Sequence, residues 1–185
     1  IALAMAEQGA NIVVNDVNME SAGEVVAEIE AMGRQAIAVK ADVTSEEQIK
    51  QMIETCINRF GKLDILVNNA GIIQTVPVTE IDGKDWDRVM EVNLKGVFLC
   101  CKAALAPMKA QHGGKIINIA SVAGKRGGGL LGNSCYSASK GGVIAFTKSL
   151  ARESGPFGIN VNAITPAFTD TEMTRSIAPD KKEFI

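Results

Sequence analysis

Residues 64–71 read Asp-Ile-Leu-Val-Asn-Asn-Ala-Gly, and that stretch decides the fold class. Ile65, Leu66 and Val67 form an uninterrupted apolar run, with no polar residue alternating between them. A strand of that composition is buried on both faces, as in a parallel sheet covered by helices. The run then breaks into Asn68, Asn69, Ala70 and Gly71, which are small or polar. In an open parallel sheet, ligands bind at the carboxyl ends of the strands. The stretch therefore predicts an architecture and also the edge of it where a site should lie.

The rest of the chain follows the same alternation. Short apolar runs fall at Asn11–Asn15, Gln35–Lys40, Lys115–Ala120 and Gly158–Ile164. Between them lie helical patterns. Residues 1–8 read as a helix stopped by Gly9, a natural left-handed cap. From Ser21 to Met32, the residues Ala22, Val25, Val26, Ile29 and Met32 recur at helical spacing. Thr44-Ser45-Glu46-Glu47 reads as a capping box with Thr44 as N-cap, opening a helix that ends at Gly61. Residues 83–111 read as one long helical stretch, and Cys135–Glu153 as another. Alternating strands and helices give a single α/β domain, a doubly wound parallel sheet of Rossmann-like type.

Composition narrows the function. The 185 residues carry a net charge of only −2, with no basic block, so a nucleic-acid partner is not expected. No apolar run is long enough to span a bilayer. Cys56, Cys100, Cys101 and Cys135 form no Cys-x-x-Cys pair, and His112 is the one histidine. Neither a metal site nor a disulfide framework is expected. Buried thiols in a reducing, cytoplasmic compartment are. His112 itself sits in the polar segment Gln111-His112-Gly113-Gly114 and reads as a solvated loop residue. The chain begins at Ile1 inside a helical pattern, without an initiator methionine, so segments are expected to be missing at both ends.

The polar residues at the strand ends are the candidate site. Asp16 follows the first strand, where a carboxylate can accept hydrogen bonds from the adenosine ribose of NAD and repel the 2′-phosphate of NADP. No Lys or Arg precedes Arg34 to hold such a phosphate. Asp16 could equally be a turn residue. Asp42 could bond the adenine amine with Val43 packed beside the base, or simply serve the loop before the Thr44 cap. Asn93 falls on the same helical face as Trp86, Val89, Met90 and Val97. An asparagine in a core needs its groups satisfied, either by a neighbouring backbone or at a local helix distortion holding a water. Tyr136 and Lys140 are four residues apart and share a helix face. A free phenol has a pKa of about 10, and a nearby ammonium lowers it, so the pair suits proton exchange with an alcohol or carbonyl oxygen. Ser121, at a strand end, could hydrogen-bond the same oxygen.

Each of these signals is modest alone; their order and spacing are not. Asn69-Ala70-Gly71, Asn93, Ser121, Tyr136-Ser137-Ala138-Ser139-Lys140 and the stretch from Pro166 resemble the short-chain dehydrogenase/reductase family over nearly the whole chain. The likeness extends to NAD-preferring sugar and polyol dehydrogenases and to 3-oxoacyl-carrier-protein reductases. The resemblance implies hydride transfer between NAD (NADP less so) and a secondary alcohol or ketone. It implies Tyr136 as general acid/base and Lys140 as the residue that lowers its pKa and holds the nicotinamide ribose. Ser121 would polarise the substrate oxygen, and Asn93 would hold a water linked to Lys140. It places Asn69, Ala70 and Gly71 beside the adenosine-side ribose, Thr171 at the nicotinamide carboxamide, and a homotetramer as the assembly. It also implies a first strand and glycine-rich turn ahead of Ile1, and a last helix and strand beyond Ile185. Two departures stand out. Gly127–Gly132 lengthens the Ser121–Tyr136 interval to fifteen and reads as a loop at the mouth of the site, with Leu130 and Leu131 in it. Pro166-Ala167 replaces the usual Pro-Gly. A 3-oxoacyl thioester reductase is the alternative enzyme, and a catalytically silent NAD-binding or scaffold protein the alternative of another class.

Overall fold

The computed structural model describes residues 1–128 and 133–171. From residue 129 on, the expected loop with Leu130 and Leu131 lies outside the described residues. The α/β class is as the apolar runs indicate, and every strand pair is parallel. The chain divides into two compact units, with the boundary in the sequence between Leu63 and Asp64.

In the first unit, α1 (Ala2–Glu7) precedes β1 (Ile12–Asp16), α2 (Met19–Ala31), β2 (Ala36–Lys40) and α3 (Glu46–Phe60). β1 pairs with β2 in register from Ile12↔Ala36 to Asp16↔Lys40. Parallel strands need a long crossover, and α2 supplies it. Ala6, Ile12, Ile29 and Ala36 form the core of this unit. Gly9, at φ +96°, turns the chain after α1 in a conformation that side chains disfavour. α2 begins earlier than the apolar periodicity suggests. Asn18 caps it by accepting from the N–H groups of Glu20 and Ser21. The cap of α3 is Ser45, not Thr44. The Thr44 hydroxyl is spent on Asp42 instead, at 2.8 Å, and the helix starts one residue later.

The second unit contains β3 (Ile65–Asn68), α4 (Gly83–Met90), α5 (Gly96–Ala110), β4 (Gly114–Ile119), α6 (Ala123–Arg126), α7 (Ser134–Ser154) and β5 (Ile159–Ile164). The strands lie in the order β3-β4-β5. The helix expected over residues 83–111 is interrupted. Between α4 and α5, Glu91–Lys95 is a π-helix, the local distortion foreseen around Asn93. α6, one turn long, was not legible in the sequence.

A chain of buried polar groups ties this sheet to α7. Asn68 and Asn118 are register partners on β3 and β4. Asn68 Nδ2 donates to Asn118 Oδ1 at 2.8 Å, and Asn118 Nδ2 donates to Thr147 Oγ1 at 2.9 Å. Thr147 in turn donates to the Val143 carbonyl at 2.7 Å. Asn68 also reaches the Cys101 sulfur. The residues Asn68, Asn118 and Thr147 are all buried, so each bond answers a group that water cannot reach. Thr147→Val keeps the shape but strands one Asn118 N–H. It should lower stability by about 1–3 kcal/mol in denaturant unfolding; an unchanged midpoint would show that the chain of bonds is not stabilising.

Candidate active site

The site is built where α7 starts. Asn133 caps that helix through a hydrogen bond from the Tyr136 N–H to its Oδ1, at 3.1 Å. An asparagine three residues before Tyr136 is an N-cap signal, and it places the helix start at Ser134 where periodicity alone points to Cys135. Tyr136 and Lys140 then share one face, as expected. Lys140 Nζ lies 5.9 Å from the centroid of the Tyr136 ring. Ser121, just after β4, accepts the Ala123 N–H at 3.1 Å and so opens α6. The Ser121 hydroxyl also stands near enough to the Tyr136 phenol to draw its pKa down.

Two glycines let the backbone come close enough for this. A Cβ on Gly124 would sit 2.6 Å from the Lys140 carbonyl carbon, so α6 seats against the peptide that carries the lysine. A Cβ on Gly71 would lie 3.3 Å from Asn93 Oδ1 and 3.4 Å from Lys140 Nζ. The residues Gly71, Asn93, Ser121, Tyr136 and Lys140, far apart in sequence, thus converge within this unit.

Lys140 is 4% exposed, and its Nζ donates to the Ile119 carbonyl at 2.8 Å. Burial disfavours the charged form and pulls its pKa down from 10.5 to about 8. Tyr136 departs from the sequence-based expectation. Burial pushes the phenol above its ordinary value, and the Ser121 hydroxyl pulls the other way without prevailing. The Lys140 ammonium does not bring the phenol down in this arrangement. Its hydrogen bond goes to Ile119, and it stands off the ring rather than at the oxygen.

Asn93 is fully buried, and its amide is answered by protein groups. Oδ1 accepts the Ile72 N–H at 2.8 Å. Nδ2 donates to the Ile72 carbonyl at 2.9 Å and to Ser139 Oγ at 3.1 Å. Of the two readings of this residue, the side chain realises the bond to a neighbouring backbone. The π-helix realises the distortion. Ser139 was not singled out from sequence, because a small polar residue inside a helix carries no pattern.

The remaining candidates are distributed as follows. Asn69 and Ala70 are exposed beyond β3. Pro166 accepts the Val122 N–H at 2.9 Å. Thr171, exposed, is the last described residue. Asp16, Asp42 and Val43 belong to the first unit. Asp16 is exposed, and its Oδ1 accepts the Asn18 N–H at 2.8 Å, a turn role. Asp42 Oδ1 accepts from both the N–H and the hydroxyl of Thr44, so it too builds a turn. Arg34, the first cation in the sequence, donates to the carbonyls of Gly9 and Ala10 and to Asn11. His112 is exposed in a turn at φ 56°. All four cysteines are buried thiols, and burial pushes Cys100 and Cys101 up to about 12. Among the described residues, no three His, Cys, Asp or Glu side chains gather as a metal site would require, and no helix is long and apolar enough to cross a membrane.

The family model described as short chain dehydrogenase matches residues 1–182. The chain is 45% identical over 177 residues to a 3-oxoacyl-(acyl-carrier-protein) reductase of a Synechocystis strain, covering 95% of this chain and 71% of the relative. It is 43% identical over 184 residues to the corresponding Staphylococcus aureus reductase, covering 99% and 74%. Among solved structures, NAD+-bound xylitol dehydrogenase matches with a TM-score of 0.89 at 35% identity, over 94% of this chain and 66% of that one.

The buried lysine generates a test of its own. Between about pH 8 and 10.5 the unfolded chain keeps a proton that folded Lys140 has lost. Stability should therefore rise with pH across that window. Lys140→Met removes the titrating group and should flatten this contribution in denaturant melts taken at the two ends of the window. Identical pH slopes in the two proteins would show that Lys140 is not held at a lowered pKa.

Proposed function

The chain belongs to the short-chain dehydrogenase family and is thus an oxidoreductase acting on CH–OH groups, and from that premise we propose how its residues divide the work. The observation that carries the proposal is the phenol of Tyr136, with the Ser121 hydroxyl acting on it and Lys140 beside its ring. The substrate is a secondary alcohol or the matching ketone. NAD(H), when bound, brings hydride exchange at the carbon that bears the reacting oxygen. Tyr136 takes the hydroxyl proton in the oxidising direction and returns it in the reducing one. Ser121 holds the same oxygen and stabilises the charge that develops on it. Lys140 spends one of its three donors on Ile119 and offers the others to the nicotinamide ribose. Asn93, with both Nδ2 protons used, keeps one Oδ1 lone pair beyond its bond from the Ile72 N–H, and that lone pair holds the water that continues the proton path from Lys140.

NAD is preferred over NADP on the character of Asp16. Its exposed carboxylate ends β1, and Arg34, the first cation of the sequence, is engaged with Gly9, Ala10 and Asn11. Asp42 and Val43 take the adenine, Asn69 to Gly71 the adenosine-side ribose, and Thr171 the carboxamide. The whole chain acts as one dehydrogenase domain in the cytoplasm. Its assembly is a homotetramer. Phe98, 43% exposed on α5, stacks edge-on against Phe146 of α7 and leaves apolar surface for such contacts.

A polyol or sugar-type alcohol is the substrate class we favour, supported by the acidic Asp16 and by the likeness to NAD+-bound xylitol dehydrogenase. A 3-oxoacyl thioester is the second reading, supported by the names of the two reductases above. A panel of polyols with NAD and 3-oxoacyl thioesters with NADPH decides between them. Turnover confined to thioesters would select the second.

Tyr136→Phe should lower kcat by about 10²-fold or more with whichever substrate turns over. Activity surviving at the wild-type level would remove Tyr136 from the reaction; no turnover in the wild type would favour a silent binding protein. Asp16→Ala should lower the NAD-over-NADP ratio of kcat/KM about tenfold, the order of one lost like-charge repulsion at an exposed position. An unchanged ratio would confine Asp16 to its turn.

A further inference from the structure

One buried hydroxyl next to the catalytic pair takes no part in the chemistry above. Ser139 is fully buried. Its Oγ donates to the Tyr136 carbonyl at 2.7 Å and accepts from Asn93 Nδ2 at 3.1 Å. The Asn93 amide continues the connection to the backbone of Ile72, donating to its carbonyl and accepting from its N–H. A line of hydrogen bonds thus runs from the segment after β3, through Asn93 and Ser139, to the peptide group of Tyr136. Its polarity is determined. Both Nδ2 protons of Asn93 are used, and the one hydroxyl proton of Ser139 points at Tyr136, which leaves an oxygen lone pair for Asn93.

The other side of the same residue is gripped in a similar way. The Tyr136 N–H is held by the Asn133 side chain. Asn133 in turn gives its own N–H to the Gln74 carbonyl at 2.9 Å, and its Nδ2 to the Val76 carbonyl. Both backbone groups of Tyr136 are therefore held by side chains that lead to residues 72–76. A serine bonded back to a carbonyl in its own helix slightly disfavours that helix. Its presence in a fully buried turn needs another reason.

We propose that Ser139 is a positioning residue: together with Asn93 it fixes the backbone of Tyr136 so that the phenol stays on Ser121 and beside Lys140. The inference rests on the acid–base reading of Tyr136. Ser139 touches neither substrate nor cofactor and acts only through Tyr136.

The test is steady-state kinetics and pH profiles on the intact protein with its best alcohol substrate. Ser139→Ala should lower kcat by about 10- to 100-fold, the scale of a small misplacement at a reacting group. KM should stay within about twofold, since no substrate contact is lost. The limb on which alcohol oxidation rises with pH should move to higher pH, because loosening Tyr136 from Ser121 removes the influence that draws the phenol down. Ser139→Thr keeps the hydroxyl and should recover most of kcat. Thr147→Val, on the same helix, should lose stability and keep both kcat and the pH profile. Should Ser139→Ala not fold, Ser139→Cys fills the volume with a weak bonding group and should show the same loss. Wild-type turnover in Tyr136→Phe would overturn the acid–base reading and this proposal with it. An inactive Tyr136→Phe beside a Ser139→Ala of wild-type kcat and pH profile would overturn the proposal alone.

Discussion

The burial of the Lys140 ammonium against the Ile119 carbonyl is the constraint on which the rest of the second unit depends. A cation removed from water is costly unless neighbours answer it. Here the described partner is the Ile119 carbonyl, with the Tyr136 ring nearby. Holding that lysine in place requires close backbone approach on two sides. Gly124 packs against its peptide and Gly71 against its ammonium, where any larger residue would collide or crowd. It also requires a fixed helix start, which Asn133 supplies, and a break in the long helix that brings Asn93 to Ser139. Such groups are retained at functional sites because they act there, at the expense of stability.

The fold was legible because its signals are periodic or compositional. The apolar runs located the five strands among the described residues to within about one residue. Gly9 and Gly61 marked helix ends that the structure realises at positive φ. What escaped was set by tertiary contact. The capping box at Thr44 looked complete, yet Asp42 competes for the Thr44 hydroxyl and moves the cap to Ser45. The one-turn α6 is too short to show a period.

The candidate site was legible through its order along the chain, not through any residue alone. Gly71, Asn93, Ser121, Tyr136 and Lys140 do come together. Their electrostatics were less readable. From sequence, an ammonium four residues from a phenol lowers its pKa; in the structure burial acts on both groups, raising the phenol and lowering the lysine. Asn133 carries a helix N-cap signal but none for its grip on residues 74–76; Ser139 and the Asn68–Asn118–Thr147 line were invisible because each is an ordinary polar residue until its partner is known.

These 185 residues contain one tyrosine, so in this chain an ultraviolet titration of tyrosinate reports Tyr136 alone. That titration, run with and without saturating NAD, tests the proposed chemistry most directly. Without NAD, ionisation should be centred above 10, and replacing Ser121 by Ala should move it higher still. With NAD, whose nicotinamide carries positive charge, the midpoint should fall. A midpoint at the ordinary value, indifferent to both Ser121 and NAD, would place the phenol in solvent and away from any reacting oxygen, and would contradict the central role given to Tyr136.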